Sequence, residues 1–239
     1  MRTISQTPSA YSIFVRLNHL MNTVYRNLIF DLDGTISDSR PGIYNALKYA
    51  LHKMNVAIAD DYDFTGFIGP PIFECFKQHF FSNGNDIEKA VYHFRKYYSE
   101  KGWSENEMYN GMYELLADLS KKDFKLFVAT NKPQVFTDLI LRHFGINDFF
   151  KLVKGVDIDN HHHTKSELIK EILEYDEGIN NENSVMIGDS KWDIFAADYH
   201  AVKTLGVSWG FGGDKKVLES YGALTVVDSV EELGKLFRQ

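Results

Sequence analysis

The sequence predicts an α/β fold, in which a parallel sheet carries helices on both faces and an all-helical segment is inserted after the first strand. Three observations lead to this prediction. The apolar run at residues 28–30 is typical of a buried strand, and it stops at two acids and a glycine. No strand pattern follows between residues 41 and 109. From residue 111 onward, strand and helix patterns alternate, which favours a parallel sheet covered on both faces.

The inserted segment is predicted to be helical throughout. Asp38 or Ser39 is a suitable N-cap for a first helix with Pro41 in its first turn, and apolar residues at helical spacing continue that helix to Met54. Further helices are predicted over residues 61–68, 72–81 and 86–101. The runs GPP (69–71) and SNGN (82–85) separate them, since glycine, proline and asparagine favour turns.

The second half of the chain supplies most of the sheet and the helices that cover it. Strands are predicted over residues 124–129, 149–153, 184–187, 204–207 and 224–227. Helices are predicted over residues 112–119, 133–144, 166–175, 192–199 and 230–237. Each strand is thus separated from the next by helix or loop, as parallel neighbours require.

The composition limits the classes of partner and compartment. The 239 residues are 44% hydrophobic and carry a net charge of −7, which argues against nucleic acid or an anionic membrane as the main partner. No apolar stretch is long enough to span a bilayer. Cys75 is the single cysteine and forms no internal disulfide, so we expect a reducing, cytoplasmic location. Residues 1–24 are expected to be an N-terminal arm; a transit peptide and a true start at Met21 are the alternatives.

Two acids at the end of the first strand predict a metal site. Asp31 and Asp33 are two residues apart, so an extended chain turns both to the same side. In open parallel sheets, the carboxyl ends of the strands are where ligands bind. Neighbouring carboxylates repel each other and stay ionised together most easily with a cation between them. The pair therefore predicts a divalent cation and a catalytic role.

Other segments bring polar side chains to the same edge of the sheet. The strand predicted at 124–129 ends at Thr130 and Asn131, before a helix whose N-terminal amides suit an anion. Lys165 begins the helix near residue 166. The strand at 184–187 ends at Asp189, and Asp193 follows one helical turn later.

The chemistry of this set favours magnesium and phosphate. Four acids suit a hard divalent ion with oxygen ligands, and Mg²⁺ fits best because it also accepts water and phosphate oxygens. A hydroxyl and an amine suit a phosphoryl group.

The ordered motifs closely resemble those of the haloacid dehalogenase superfamily of phosphohydrolases. DLDGT (31–35) looks like its first motif, Thr130 like the second, Lys165 like the third and GDSKWD (188–193) like the fourth. FIGPP (67–71) and WGFG (209–212) are similar to the phosphoglycolate phosphatase and 5'-nucleotidase-like branch. Lys165 stands in TKSE, where the family more often has a Lys-Pro pair.

The resemblance extends from Arg26 to Phe237 and implies a domain organisation. A Rossmann-like core would comprise residues 25–39 and 110–239, and a helical cap domain would comprise residues 40–109. The predicted N-terminal arm, residues 1–24, would precede both.

The resemblance also implies a mechanism. Asp31 would attack phosphorus and form an aspartyl-phosphate, while Asp33 would protonate the leaving oxygen and then deprotonate water. Phosphoryl oxygens would be bound by Thr130, Asn131 and Lys165. The predicted ligands of Mg²⁺ are Asp31, Asp33 (through its backbone carbonyl), Asp189 and Asp193.

The expected substrate is a small phosphorylated metabolite, with phosphoglycolate and nucleoside 5'-monophosphates as first candidates. A sugar phosphomutase and a non-catalytic phosphate-binding protein of the same fold are the alternatives, since fold alone does not imply function. Arg40, Phe67, Gly69 and Lys132 are the predicted contacts of the cap side with the substrate. A monomer or a homodimer is expected.

Overall fold

The computed structural model describes residues 25–157 and 164–237. The predicted arm, residues 1–24, lies outside the described residues. The described residues form eight strands: β1 (Asn27–Phe30), β2 (Ser37–Asp38), β3 (Glu107–Met108), β4 (Lys125–Pro133), β5 (Phe150–Val156), β6 (Ser184–Gly188), β7 (Lys203–Val207) and β8 (Thr225–Val227).

Nine α-helices lie within the same described ranges. They are α1 (Arg40–Lys53), α2 (Ile72–His79), α3 (Gly84–Glu100), α4 (Met112–Ser120), α5 (Gln134–His143), α6 (Lys165–Leu173), α7 (Lys191–Asp198), α8 (Lys215–Ser220) and α9 (Val230–Leu236). Short 3₁₀ turns occur at Thr65–Phe67, Gly102–Ser104 and Asn147–Phe149. No helix in the described ranges is both long and apolar enough to cross a membrane.

A six-stranded parallel sheet forms the centre of the molecule, with the strand order β5-β4-β1-β6-β7-β8. Successive residues of a strand point to opposite faces of the sheet. All four residues of β1 are buried, so the sheet is covered on both faces at this strand. Leu28 and Phe30 pack in a cluster that includes residues of α4, α5 and α9. Ile29 packs on the other face, in a cluster that includes residues of α6 and α7. Helices therefore cover both faces, which confirms the predicted α/β fold.

The register of β1 explains why distant segments meet at one edge. Phe30 is aligned with Val128 of β4 on one side and with Ile187 of β6 on the other. Asp31 follows directly, and its amide donates to the Ile187 carbonyl at 2.9 Å. The residues that follow β1, β4 and β6 consequently emerge side by side.

The inserted segment packs around a second hydrophobic cluster, against which Phe136 of α5 also packs. This cap core contains buried apolar residues from α1, α2 and α3 together with Phe64 and Phe67. At the base of the cap, a Cβ on Gly42 would lie only 2.0 Å from the Gly102 carbonyl oxygen, so glycine permits this close backbone approach.

The structure differs from the sequence-based prediction at several short elements. Residues 37–38 and 107–108 form β2 and β3, which pair antiparallel, although no strand was expected at either place. Two residues are too few to show an alternating pattern. The helix predicted over residues 61–68 is only a 3₁₀ turn, because the Asp63 carboxylate accepts from the amide and hydroxyl of Thr65 and so favours a turn. Helix α8 was not predicted; its N-cap Asp214 accepts from the Val217 amide at 3.0 Å.

Candidate active site

Three buried carboxylates meet at the carboxyl edge of the sheet. Asp31 follows β1, Asp189 follows β6, and Asp193 lies in the first turn of α7. Each offers an oxygen within 4.8 Å of the others, and all three side chains are buried. The sequence predicted that Asp31 and Asp189 meet because each follows a strand, with Asp193 one helical turn beyond Asp189. The alignment of β1 with β6 brings the first two together.

Backbone amides and glycines hold Asp189 in place. Its Oδ2 accepts from the Phe211 amide at 2.6 Å and from the Gly212 amide at 3.1 Å. A Cβ on Gly34 would lie 2.4 Å from this oxygen, and a Cβ on Gly210 would lie 2.3 Å from it. Gly34 also has φ +84°, a conformation that favours glycine. The loop at residues 209–213 is thus shaped around one carboxylate oxygen.

Lys165 joins two of the acids from the N-terminus of α6. Its ammonium lies 2.9 Å from Asp31 Oδ1 and 2.5 Å from Asp193 Oδ1. A capping box between Thr164 and Glu167 fixes the start of this helix, and the Thr164 amide donates to the Glu167 carboxylate at 2.8 Å. The TKSE context therefore orients the lysine without a following proline.

Asp193 has hydrogen-bond partners at both oxygens. Oδ2 accepts from the Ser190 amide at 3.0 Å and from the Ser190 hydroxyl at 2.8 Å, which forms a capping box at the start of α7. Oδ1 holds Lys165. Asp193 consequently orients the lysine as well as contributing to the acid cluster.

The electrostatics of the cluster favour an added cation. Burial raises the pKa of Asp31, with Lys165 opposing the rise. Burial and then repulsion from Asp193 raise the pKa of Asp189. Burial would lower the pKa of Lys165, but the neighbouring carboxylates outweigh it and raise that pKa. One ammonium among three buried acids leaves an excess of negative charge, which a divalent ion would neutralise.

Asp33 is not one of these three acids, and its side chain pairs with a lysine instead. Its Oδ2 lies 2.6 Å from the ammonium of Lys132, a buried lysine near the end of β4. Burial lowers the pKa of Lys132, but Asp33 and Tyr98 together outweigh burial and raise it. The Asp33 side chain is therefore separate from the candidate metal ligands, and a role for its backbone carbonyl stays a prediction.

The two polar residues predicted after the second core strand have different environments. Thr130 is buried within β4, and its hydroxyl accepts from the Lys132 amide at 3.3 Å. Asn131 is exposed. Strand β4 runs four residues past its predicted end at residue 129, and helix α5 begins only at Gln134. Thr130 therefore lies further from the start of the helix than expected.

The predicted contacts on the cap side divide into two kinds. Arg40 pairs with Asp38 through Nε at 2.9 Å and lies over the Phe211 ring at 5.4 Å, beside the loop that holds Asp189. Phe67, by contrast, is buried in the cap core, where its ring contacts Phe64 and Phe76. The Phe67 side chain is therefore part of the packing of the cap core, and a contact with substrate stays a prediction.

The loop at Gly69 lies at the boundary between cap and core. A Cβ on Gly69 would lie 3.9 Å from the indole of Trp192, the residue that precedes Asp193. Sequence analysis did not select Trp192, Ser190 or the amides of residues 211 and 212 for the site. The capping box at Ser190 was readable in the spacing of DSKWD, whereas amide donors carry no sequence signal.

The carboxylates fit a magnesium ion by donor type and burial. Asp31, Asp189 and Asp193 supply hard oxygen donors, within reach of one ion and without a sulfur or imidazole ligand in the cluster.

Comparisons with known proteins agree with this geometry. A family model described as haloacid dehalogenase-like hydrolase matches residues 28–207. A protein from Pseudomonas aeruginosa named 5'-nucleotidase is 37% identical over 193 residues, which cover 81% of this chain and 87% of that protein. A Mycobacterium tuberculosis protein named tyrosine-protein kinase PtkA is 34% identical over 185 residues, which cover 77% of this chain and only 62% of that protein.

A solved structure has the same arrangement of elements. The crystal structure of a predicted phosphatase from Clostridium acetobutylicum is 35% identical and has a TM-score of 0.80, covering 89% of this chain and 98% of that one. Since the family model spans residues 28–207, well over half of the sequence, the chain belongs to the haloacid dehalogenase-like hydrolase family, as its motifs predicted.

Proposed function

We propose that the protein is a Mg²⁺-dependent phosphatase that hydrolyses the phosphate monoester of a small metabolite through an aspartyl-phosphate on Asp31. The observation that carries this proposal is the meeting of Asp31, Asp189 and Asp193 within 4.8 Å, with the Lys165 ammonium 2.9 Å from Asp31. Such a site suits a dianionic phosphoryl group, because it can combine a divalent ion with a fixed ammonium.

The buried acids would hold the metal. Asp31 and Asp189 are the principal candidate ligands, and Asp193 would assist directly or through water. When bound, Mg²⁺ supplies positive charge to the phosphoryl oxygens and acts as a Lewis acid.

The protein's own residues would carry the bond changes. In the first half-reaction, a carboxylate oxygen of Asp31 bonds to phosphorus while the ester P–O bond breaks and Asp33 gives its proton to the leaving oxygen. In the second, Asp33 takes a proton from water, whose oxygen bonds to phosphorus as the aspartyl bond breaks. Thr130, Asn131 and Lys165 would bind the non-bridging oxygens throughout.

The substrate candidates are nucleoside 5'-monophosphates and phosphoglycolate. The relative named 5'-nucleotidase supports the first, since it is 37% identical and the match covers 87% of its length. We further propose that the protein acts in the cytoplasm as a monomer or homodimer, without nucleic acid or membrane as a partner. The net charge of −7 supports the exclusion of polyanionic partners.

A panel of phosphate monoesters, assayed for phosphate release with Mg²⁺ and with EDTA, tests the proposal. We expect one phosphate for each alcohol released, and no release with EDTA. Conversion of a sugar phosphate to its isomer without free phosphate would indicate the phosphomutase alternative. Binding of phosphate esters without any turnover would indicate a non-catalytic protein.

A further inference from the structure

Lys132 is more deeply buried than a lysine that only contacts substrate at the surface would need to be. Its side chain is only 4% exposed, less than the 19% of its partner Asp33, and the two charged groups lie 2.6 Å apart. Burying an ammonium is costly unless a carboxylate compensates it. Asp33 is the carboxylate that compensates the buried charge of Lys132.

The ion pair makes the two oxygens of Asp33 unequal. Oδ2 accepts from Lys132 Nζ, whereas Oδ1 is buried and has no hydrogen-bond partner among the described residues. An unpaired buried oxygen costs free energy, so such atoms are uncommon away from functional sites. With Oδ2 held, the free Oδ1 is the atom that can exchange a proton with a ligand.

Lys132 also contacts an aromatic residue of the cap. The ammonium lies over the ring of Tyr98, 5.2 Å from its centroid, and Tyr98 belongs to α3 of the cap. This ring packs edge-on against Phe136 of core helix α5, with centroids 5.0 Å apart. It also lies close to Gly102, where a Cβ would be 2.8 Å from Tyr98 Cδ2. Lys132 is thus enclosed between a core carboxylate and a cap aromatic ring.

We propose that Lys132 is a positioning residue, which holds Asp33 by Oδ2 so that Oδ1 faces the leaving oxygen, and that Tyr98 of the cap keeps Lys132 in place. This inference rests on the proposed phosphatase function. It differs from a role of Lys132 in binding substrate, because the lysine would act only through Asp33.

Two aryl esters of similar size distinguish these roles. Phenyl phosphate releases a basic phenolate, which needs a proton from Asp33, whereas p-nitrophenyl phosphate releases a weakly basic anion that needs little protonation. For Lys132→Met, we expect kcat/KM to fall roughly 10²-fold on phenyl phosphate, the usual cost of misplacing a reacting group by about 1 Å. On p-nitrophenyl phosphate we expect a fall of less than about 10-fold, because general acid catalysis contributes little there. An equal fall on both esters would overturn the positioning role and leave the phosphatase function intact.

A double-mutant cycle covers the case in which Lys132→Met leaves Asp33 buried and unpaired, so that the variant folds poorly. The variant with both Lys132→Met and Asp33→Asn has neither charge, and we expect it to match Asp33→Asn alone on phenyl phosphate. A full additional loss from Lys132→Met in the Asp33→Asn background would contradict the inference.

Substitutions at Tyr98 test the contact from the cap. Tyr98→Phe keeps the ring but removes the hydroxyl, which also raises the pKa of Lys132, so we expect it to change the ratio of kcat/KM for the two esters less than Tyr98→Leu does. Tyr98→Leu removes the ring and is expected to change that ratio in the same direction as Lys132→Met. If Tyr98→Leu leaves the ratio at its wild-type value, the role of the cap is wrong. Inactivity of the wild-type protein on both aryl esters and on every monoester of the metabolite panel, with Mg²⁺ present, would overturn the proposed function, and with it this inference.

Discussion

The acid cluster at the sheet edge and the aromatic core of the cap are both buried, but different physical terms hold them together. At the sheet edge, single polar atoms decide the structure: two amides hold one oxygen of Asp189, and glycines leave no room beside it. An added methyl group at Gly34 or Gly210 would lie within 2.4 Å of that oxygen. The geometry of the acid cluster therefore depends on the exact positions of a few polar atoms.

The cap core depends on volume instead. Its rings meet at varied angles, with Phe64 and Phe67 edge-on at 77° and Phe67 and Phe80 tilted at 39°. Such packing tolerates exchange between apolar side chains of similar size, whereas deletion of a whole ring leaves a cavity. The comparison teaches that substitutions of similar size should mainly affect catalysis and metal binding at the sheet edge. In the cap core, away from Tyr98, they should mainly affect stability.

The largest expected effect concerns the nucleophile of the sheet-edge site. Asp31→Asn should abolish phosphate release, because an amide is a poor nucleophile and weakens the metal site. Asp61→Asn, an exposed acid of the cap, is the matched control and should retain wild-type turnover. Steady-state assays with Mg²⁺ measure both, and wild-type rates in Asp31→Asn would remove Asp31 from the mechanism.

The cap should show the opposite pattern, with a loss of stability. Phe76 is fully buried in the cap core, so Phe76→Ala should lower the free energy of unfolding by about 3–5 kcal/mol. Phe73, on the same helix, is 38% exposed, and Phe73→Ala should change that free energy by no more than about 0.5 kcal/mol. Urea denaturation provides both values, and equal losses would show that burial in the cap does not determine its stability.

Metal binding should stabilise the sheet-edge region specifically. At a Mg²⁺ concentration a hundredfold above Kd, the free energy of unfolding should rise by about 2.7 kcal/mol, because only the folded state gathers the acids. Asp189→Asn should remove this increase, while Asp61→Asn should keep it. Thermal denaturation with and without Mg²⁺ measures the effect, and an undiminished increase in Asp189→Asn would exclude Asp189 as a ligand.

The smallest expected effect tests how much the space beside Asp189 matters when the acids themselves are unchanged. Gly210→Ala adds one methyl group 2.3 Å from Asp189 Oδ2, so we expect a cost of about 1–3 kcal/mol and a weaker apparent affinity for Mg²⁺. Gly84→Ala is the control, since a Cβ there would meet no atom within 4 Å outside its own helix. Magnesium titrations of activity compare the two variants, and identical midpoints would show that the 209–213 loop adapts freely.

Much of the fold could be predicted because short sequence patterns indicate where the strands and helices lie. The apolar run before Asp31 and the alternation after residue 111 reflect burial of strands and helix faces, which depends on neighbours in sequence. Elements without such a pattern were missed: β3 has two residues, and α8 has six, with few apolar positions.

The sequence by itself determined the fold class and the acids at the strand ends, because strand periodicity and the position of a strand's end are local properties. The family followed from the resemblance of its four ordered motifs to those of known phosphohydrolases. Only the tertiary structure decided that Lys132 pairs with Asp33, 99 residues away, and that the amides of residues 211 and 212 hold Asp189. The tertiary structure also decided that the Phe67 side chain packs in the cap core. These partners are set by packing between segments remote in the chain, which patterns of neighbouring residues do not encode.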